Sequence, residues 1–371
     1  MLEPSHAVVH ADRLRHNALG VRAAVGDRLV LAAVKADAYG HGAVHVARFY
    51  EAQGLVDWLG VATVQEGLRL RDAGVRLPIL KLSHVLTSRA ARAAVAADIS
   101  TACVSADNAR LLSAVGESLG CPARVHLKID TGMRRIGVEA DDAADLAALV
   151  ESLPGVELDG VFTHMPASDD PDEDDFSREQ VARFAAAVRA VHERIGRELP
   201  LVHMANSGAV LAHEDAWLTM VRPGIALYGY YPDAATPRTI DLQPVLEWRS
   251  RVSFVKDVPA GDSVGYGRTF VADGRTRVAT VPVGYADGYP RVCSSAGSVL
   301  VGGVRAPIVG RVCMDQLMVA VGPDVRVGDE VVLIGSQGEA SWTADDIARV
   351  AGTISYEVLC GIGARVPREL V

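Results

Sequence analysis

Short runs of continuous apolar residues, most of them followed by longer stretches with helical spacing, fill the first two thirds of the chain. Leu14, Ala18, Val21 and Val25 recur at helical spacing between Asp12 and Gly26 and predict a helix. Leu29 to Val34 is apolar at every position, the pattern of a strand covered on both faces, and Gly40 and Gly42 break it soon afterwards. Seven further runs fall at 58–62, 78–82, 99–104, 125–129, 158–163, 201–204 and 220–221, mostly separated by alanine-rich helical patterns such as 140–153 and 179–195. Strands alternating with helices pair in parallel, and eight units in about 200 residues predict a (β/α)8 barrel better than an open sheet. No glycine fingerprint opens a helix after the first strand, so a dinucleotide-binding fold lacks its main sign.

After Tyr231 the texture changes. Pro232 and Pro237 bracket a turn-rich joint, and strand-like runs follow at 245–258, 278–283, 298–301, 306–312, 317–321 and 330–334. One helix, 344–350, is expected to interrupt them, with Thr343 as its cap and Asp346 three residues on. The fold class is therefore α/β: an N-terminal TIM barrel over residues 1–234 and a mostly-β domain over 235–371. Residues 1–10, which hold Ala7-Val8-Val9-His10, are a candidate strand added to the β domain.

Composition narrows the function classes. With 371 residues, about half of them apolar, the chain can bury one large core or two moderate ones. Its 37 basic and 46 acidic residues give a net charge of −9 with no basic run, which argues against nucleic acid as a partner. The one dense charge block, Asp169 to Asp175, has no calcium-loop spacing and reads as a solvated loop, so no metal is expected. Five scattered cysteines without a C-x-x-C pair indicate neither a disulfide framework nor a zinc site. Met1 to His6 shows no basic start or apolar signal core, and no run approaches the ~20 apolar residues that span a bilayer. A soluble, cytoplasmic protein without membrane contact is the expectation.

In a barrel of this kind chemistry gathers at the C-terminal ends of the strands. Lys35 ends the first strand, Lys128 and Arg135 flank the end of the fifth, and His164 ends the sixth. Asn206-Ser207-Gly208 follows the seventh, and Arg222-Pro223-Gly224 the eighth. A lysine in an enclosed apolar site loses its charge more readily and becomes a nucleophilic amine that condenses with a carbonyl. A snorkelling strand-end lysine is the plainer alternative. Ser207 and the backbone amides near Gly224 and Ile225 could cradle a phosphate, so a phosphorylated aldehyde is the natural ligand for this lysine.

Six segments resemble the alanine racemase family, whose members use pyridoxal 5′-phosphate (PLP). They are Val34 to Gly42 (VKADAYGHG), Asp130 to Gly137 (DTGMRRIG), His203 to Ser207 (HMANS), Arg222 to Gly229 (RPGIALYG), Val283 to Gly288 (VGYADG) and Gly310 to Asp315 (GRVCMD). They keep their order and run essentially end to end. The resemblance implies a barrel plus a C-terminal β domain, paired head to tail as a homodimer with shared active sites, interconverting L-alanine and D-alanine for peptidoglycan. It assigns Lys35 to the covalent imine link with PLP, and Tyr39, Ser207, Gly224, Ile225 and Tyr356 to the phosphate, with Asn206 and His164 also in the cofactor site. Arg222 would face the pyridine nitrogen. Arg135 would bond the phenolic oxygen and, with the Met314 amide, the substrate carboxylate. Tyr266, in Val264 to Thr269 (VGYGRT), matches the second catalytic base and would come from the partner subunit, as would Met314 and Asp315. Tyr285 would line the entrance at the dimer interface. Lys128 matches a position carbamylated in some members, and a plain ammonium beside Asp130 is the other possibility.

Inversion at Cα needs acid/base groups on opposite faces of a planar intermediate, roles open to Lys35 and Tyr266. Coupling from His164 through Arg222 would tune Tyr266. An arginine opposite the pyridine nitrogen leaves that nitrogen neutral, whereas related decarboxylases are described as carrying an acidic residue there, so Arg222 favours racemisation. A racemase of broader specificity, or one acting on serine, and a non-catalytic PLP-binding protein are the competing readings. His41 is expected to be structural or to support the site residues from behind, and Cys313 to be a packed small residue.

Overall fold

The computed structural model describes residues 4–371. Internal contacts divide it into two compact units, one of residues 14–38 and 43–243, the other of residues 4–13, 39–42 and 244–371.

The first unit is the barrel. Its eight strands, in chain order, are Leu29–Ala33, Trp58–Val61, Ile79–Lys81, Ile99–Cys103, Ala123–Asp130, Val156–Phe162, Leu201–His203 and Met220–Val221. Each pairs in parallel with its predecessor from the second to the seventh, and the eighth pairs with the first. Thr219 N donates to Val202 O at 3.1 Å and Arg222 N to Ala205 O at 2.8 Å, so the eighth strand also approaches the seventh and the barrel nearly closes. The strands are almost wholly buried because helices cover their outer faces, which explains the continuous apolar runs. Leu31, Leu80 and Met220 fill part of the core, packed with Leu29, Trp58 and Leu82. One irregularity interrupts the ladder. Val125 pairs with Leu158, but His126 pairs with Gly160, leaving Asp159 as a bulged residue on the sixth strand.

The second unit is strand-rich. Its larger sheet runs Val304–Pro307, Ser298–Val301, Glu330–Gln337, Leu246–Arg251, His6–Val9, Arg368–Leu370, with Ala340–Trp342 paired to Glu330–Gln337. Phe254–Val258, Thr276–Val281 and Leu317–Ala320 make a second sheet, and Val258, Val264, Ala272, Val278 and Val309 form a small core. The helix Ala344–Ala351 starts on a capping box between Thr343 and Asp346.

Three expectations need correction. The acidic run is not all loop: Asp170 caps a short 3-10 turn, Pro171–Glu173, and Asp174 and Asp175 open the helix Asp174–Ile195, where negative charge suits the N-terminal dipole. The run 245–258 is two strands in different sheets, because the chain leaves the buried pattern of Leu246–Arg251 at Val252 and Ser253 and enters a mostly exposed one. A second helix, Ser355–Gly361, follows the expected one; it has no side-chain cap and only seven residues, so little marked it.

Candidate active site

Lys35 follows the first barrel strand, and the chain then turns the wrong way. Ala36, Asp37, Ala38 and Tyr39 all have φ between 52° and 56°, a left-handed turn without a glycine. Each such residue costs about 1–2 kcal/mol, so neighbours must hold the turn in place. Glu66 does much of this. Its carboxylate accepts from Ala36 N at 2.8 Å, from Ala62 N at 2.7 Å and from Thr63 N at 3.0 Å, tying the residue after Lys35 to the end of the second strand. Asp37 Oδ1 accepts from Ala43 N at 2.9 Å, and Tyr228 donates to Ala33 O at 2.9 Å.

Arg222 is the central cation. It is nearly buried, and its Nη2 donates to Thr163 O at 2.9 Å, Met204 O at 3.0 Å and His164 Nδ1 at 3.3 Å. Its Nη1 donates to His203 Nδ1 at 3.1 Å. Burial pushes the guanidinium down to about 9, which leaves it charged at neutral pH. His164 is held well below its ordinary value, by burial first and then by Arg222, Lys128, Arg135 and Lys35, so its imidazole is neutral. The expected contact of His164 with Arg222 is present.

Ser207 Oγ accepts from Gly224 N at 2.8 Å and Ala226 N at 3.3 Å, joining the loops after the seventh and eighth strands. Asn206 secures that junction: its Oδ1 accepts from Ala209 N at 3.1 Å and Ser168 Oγ at 2.6 Å, and its Nδ2 donates to Met165 O at 3.0 Å. Lys128 is buried with its Nζ 4.3 Å from the centre of the Phe162 ring. Burial, then Arg222 and Arg135, lower its pKa well below the usual lysine range, against a weaker pull from Asp130. Asp130 Oδ1 meanwhile accepts from Gly132 N at 2.9 Å and Arg134 N at 3.1 Å. Arg135 is exposed on the turn that follows.

The other candidates belong to the second unit. Tyr39 and Tyr356 lie with ring centres 5.9 Å apart, and burial pushes the Tyr39 phenol up. Tyr266 sits between two glycines on a turn and is 73% exposed in the single chain. It lines a cleft of about 740 Å³ with Lys256, Arg268, Cys313 and Met318. Tyr285 N donates to Cys313 O and Ala286 N to Met314 O, each at 3.0 Å, which brings two of the six sequence segments together. Met314 is 53% exposed, and Asp315 accepts from Arg365 at 2.9 Å. His41 is buried with Nδ1 2.9 Å from Tyr39 O, and Cys313 donates to Arg311 O.

Glu66, Thr163, His126 and His203 were missed as site residues. A signal existed for His126, since strand alternation puts it on the same face as Lys128 and Asp130. His203 lies inside one of the six segments. Glu66 and Thr163 act through backbone contacts that sequence does not reveal. Among the described residues no group of three or more His, Cys, Asp or Glu side chains is placed to hold a metal ion.

Comparison with known proteins gives one consistent result. The family model "Alanine racemase, N-terminal domain" matches residues 9–232 and "Alanine racemase, C-terminal domain" residues 245–370. The alanine racemase of Cutibacterium acnes is 49% identical over 370 residues, 99% of this chain and 98% of that protein. The solved structure of alanine racemase from Clostridium difficile is 36% identical with a TM-score of 0.94, covering 100% of this chain and 96% of that one. The structure from D-cycloserine-producing Streptomyces lavendulae is 35% identical with a TM-score of 0.93, covering 100% and 98%.

Proposed function

This chain belongs to the alanine racemase family, PLP-dependent isomerases, and from that we propose that it interconverts L-alanine and D-alanine by a two-base mechanism in a homodimer. The observation that carries the reading is that a strand-end lysine, Lys35, and a buried guanidinium, Arg222, both act on His164, with Arg222 donating to His164, His203, Thr163 and Met204.

The donor set suits the cofactor. Arg222, Lys128, Arg135 and Lys35 all act on His164, and Arg222 and Arg135 on Lys128, with Asp130 the one carboxylate acting on Lys128, so the barrel site favours a phosphate and a substrate carboxylate over cations. When bound, PLP supplies the electron sink that makes an amino acid's α-hydrogen removable.

The chain's own residues control the rest. Lys35 holds the cofactor covalently and moves the α-proton on one face. Tyr266, contributed by the partner subunit, moves it on the other, and its exposure in the single chain supports that assignment. Arg222 would face the pyridine nitrogen; a guanidinium keeps its own proton and only donates a hydrogen bond, so that nitrogen would stay unprotonated where a carboxylate would favour its protonation, which restrains side reactions. Ser207, the amides at Gly224 and Ile225, Tyr39 and Tyr356 bind the phosphate, and Asn206 fixes Ser207 from behind. Arg135 and the Met314 amide bind the substrate carboxylate. Lys128 supports Arg135, and the burial that lowers its pKa makes its amine more available to take up carbon dioxide as a carbamate than an ordinary lysine's, a plain ammonium being the other state. Tyr285 and Asp315 shape the entrance. Supply of D-alanine for peptidoglycan, in the cytoplasm, is the role that follows; no helix among the described residues is long and apolar enough to cross a membrane.

NMR in D₂O with PLP-loaded protein and a panel of L-amino acids tests the reading. Deuterium should enter Cα of L-alanine with matching loss of optical purity, faster than for L-serine. Protein that leaves L-alanine unexchanged would overturn it in favour of a non-catalytic PLP-binding protein.

A further inference from the structure

The barrel holds a buried imidazole that the proposed reaction does not use. His126 Nδ1 lies 2.8 Å from His203 Nε2, and His203 Nδ1 receives Arg222 Nη1 at 3.1 Å. Starting from Arg222, every hydrogen along this chain can be placed. A guanidinium only donates, so His203 Nδ1 accepts. Neutral His203 then carries its hydrogen on Nε2, where it points to His126 Nδ1; His126 must accept there and carries its own hydrogen on Nε2, a buried atom with no hydrogen-bond partner among the described residues. Both rings are neutral, because burial and then Arg222 lower them, His126 to about 3.

The fold makes room for this contact in two ways. The bulge at Asp159 sets His126 opposite Gly160. A Cβ on Gly160 would fall 2.9 Å from His126 Nδ1 and 2.6 Å from Leu201 O, so a side chain there collides with the accepting atom itself. Aromatic neighbours fix the ring planes. Phe162 stacks on His203 at 4.9 Å with 6° between planes, and Trp58 meets His126 edge-on at 5.5 Å and 68°.

We propose that His126 is a positioning residue of the barrel site: by accepting from His203 it locks that ring's tautomer and plane, and so keeps an acceptor aimed at Arg222. The proposal rests on the reading of Arg222 as the partner of the pyridine nitrogen. Without His126, His203 has two poor choices. It can leave its Nε2 hydrogen buried and unpaired, or move that hydrogen to Nδ1 and turn donor against donor on Arg222.

Three variants of the PLP-loaded dimer separate these effects. His126→Phe keeps a ring but removes the acceptor, His126→Asn restores an oxygen near the Nδ1 position, and Gly160→Ala pushes a methyl into the contact. Imidazole ¹⁵N spectra of the wild type should show His126 and His203 both protonated on Nε2 alone. His126→Phe should shift the His203 resonances and lower kcat about tenfold with KM for alanine unchanged, and His126→Asn should recover most of the loss. Gly160→Ala should shift the same resonances. A hydrogen on Nδ1 of either ring in the wild type, wild-type kcat in His126→Phe, or no recovery by His126→Asn would overturn the proposal. The wild-type spectra decide even where a variant does not fold. They also need no turnover, so a failed tautomer pattern in an active enzyme sinks this inference, whereas an intact pattern in an inactive one sinks the racemase reading.

Discussion

Charge placement in the barrel is decided residue by residue, by burial more than by pairing. Arg222 keeps its charge at neutral pH because backbone carbonyls and neutral imidazoles accept from it, while Lys128 and His164 in the same cluster are driven toward neutrality. Asp159 shows the opposite sign for an acid. Burial first, then Glu157, raise its carboxyl from 3.8 to about 6 at the bulge. A carboxyl that holds its proton more tightly when folded costs the fold nothing below about pH 4 and most above about pH 6. Asp159→Asn should therefore raise stability by about 1 kcal/mol at pH 7, after allowance for solvent screening, and by almost nothing at pH 4. Urea unfolding at the two pH values reads this directly, and an equal gain at both would refute the assignment.

At the level of elements, the turn after Lys35 is the least comfortable piece of backbone and Glu66 its main restraint. Glu66→Gln removes one charge-assisted acceptor from three amides and should cost about 1–2 kcal/mol while weakening PLP retention about tenfold. Thr63→Ala, which breaks only the capping bond to Glu66 N, should cost about 1 kcal/mol and leave retention alone. Thermal melts and cofactor titration by absorbance distinguish them. The barrel strands were legible because strands buried on both faces leave unbroken apolar runs, and Lys35 and Arg222 because they stand where such runs end. The left-handed turn was not, since Ala36, Asp37 and Ala38 carry no mark of positive φ and the carboxylate that steadies them is about 30 positions away. The bulge at Asp159 was hidden for a similar reason: register belongs to two strands and is written in neither. Negative charge at 169–175 looked like loop until a helix start gave it a job.

For the molecule as a whole, Tyr266, Met314, Phe254 and Tyr285 are each exposed on the strand-rich unit. If Tyr266 serves the partner's Lys35, two dead chains can mend each other. Mixing Lys35→Ala with Tyr266→Phe through unfolding and refolding should restore about a quarter of wild-type activity, because half the dimers are mixed and each keeps one intact site. No recovery would place both residues in one chain's site. The interleaving of the two units, which trade the chain at 13/14, 38/39, 42/43 and 243/244, has a further effect on breeding new enzymes from relatives. A chimaera joined only at 243/244 would take His6–Val9 from one parent and both strands that flank it, Leu246–Arg251 and Arg368–Leu370, from the other. Mismatched side chains would then meet in mid-sheet. Viable hybrids must inherit residues 4–13 and 39–42 from the same ancestor as 244–371.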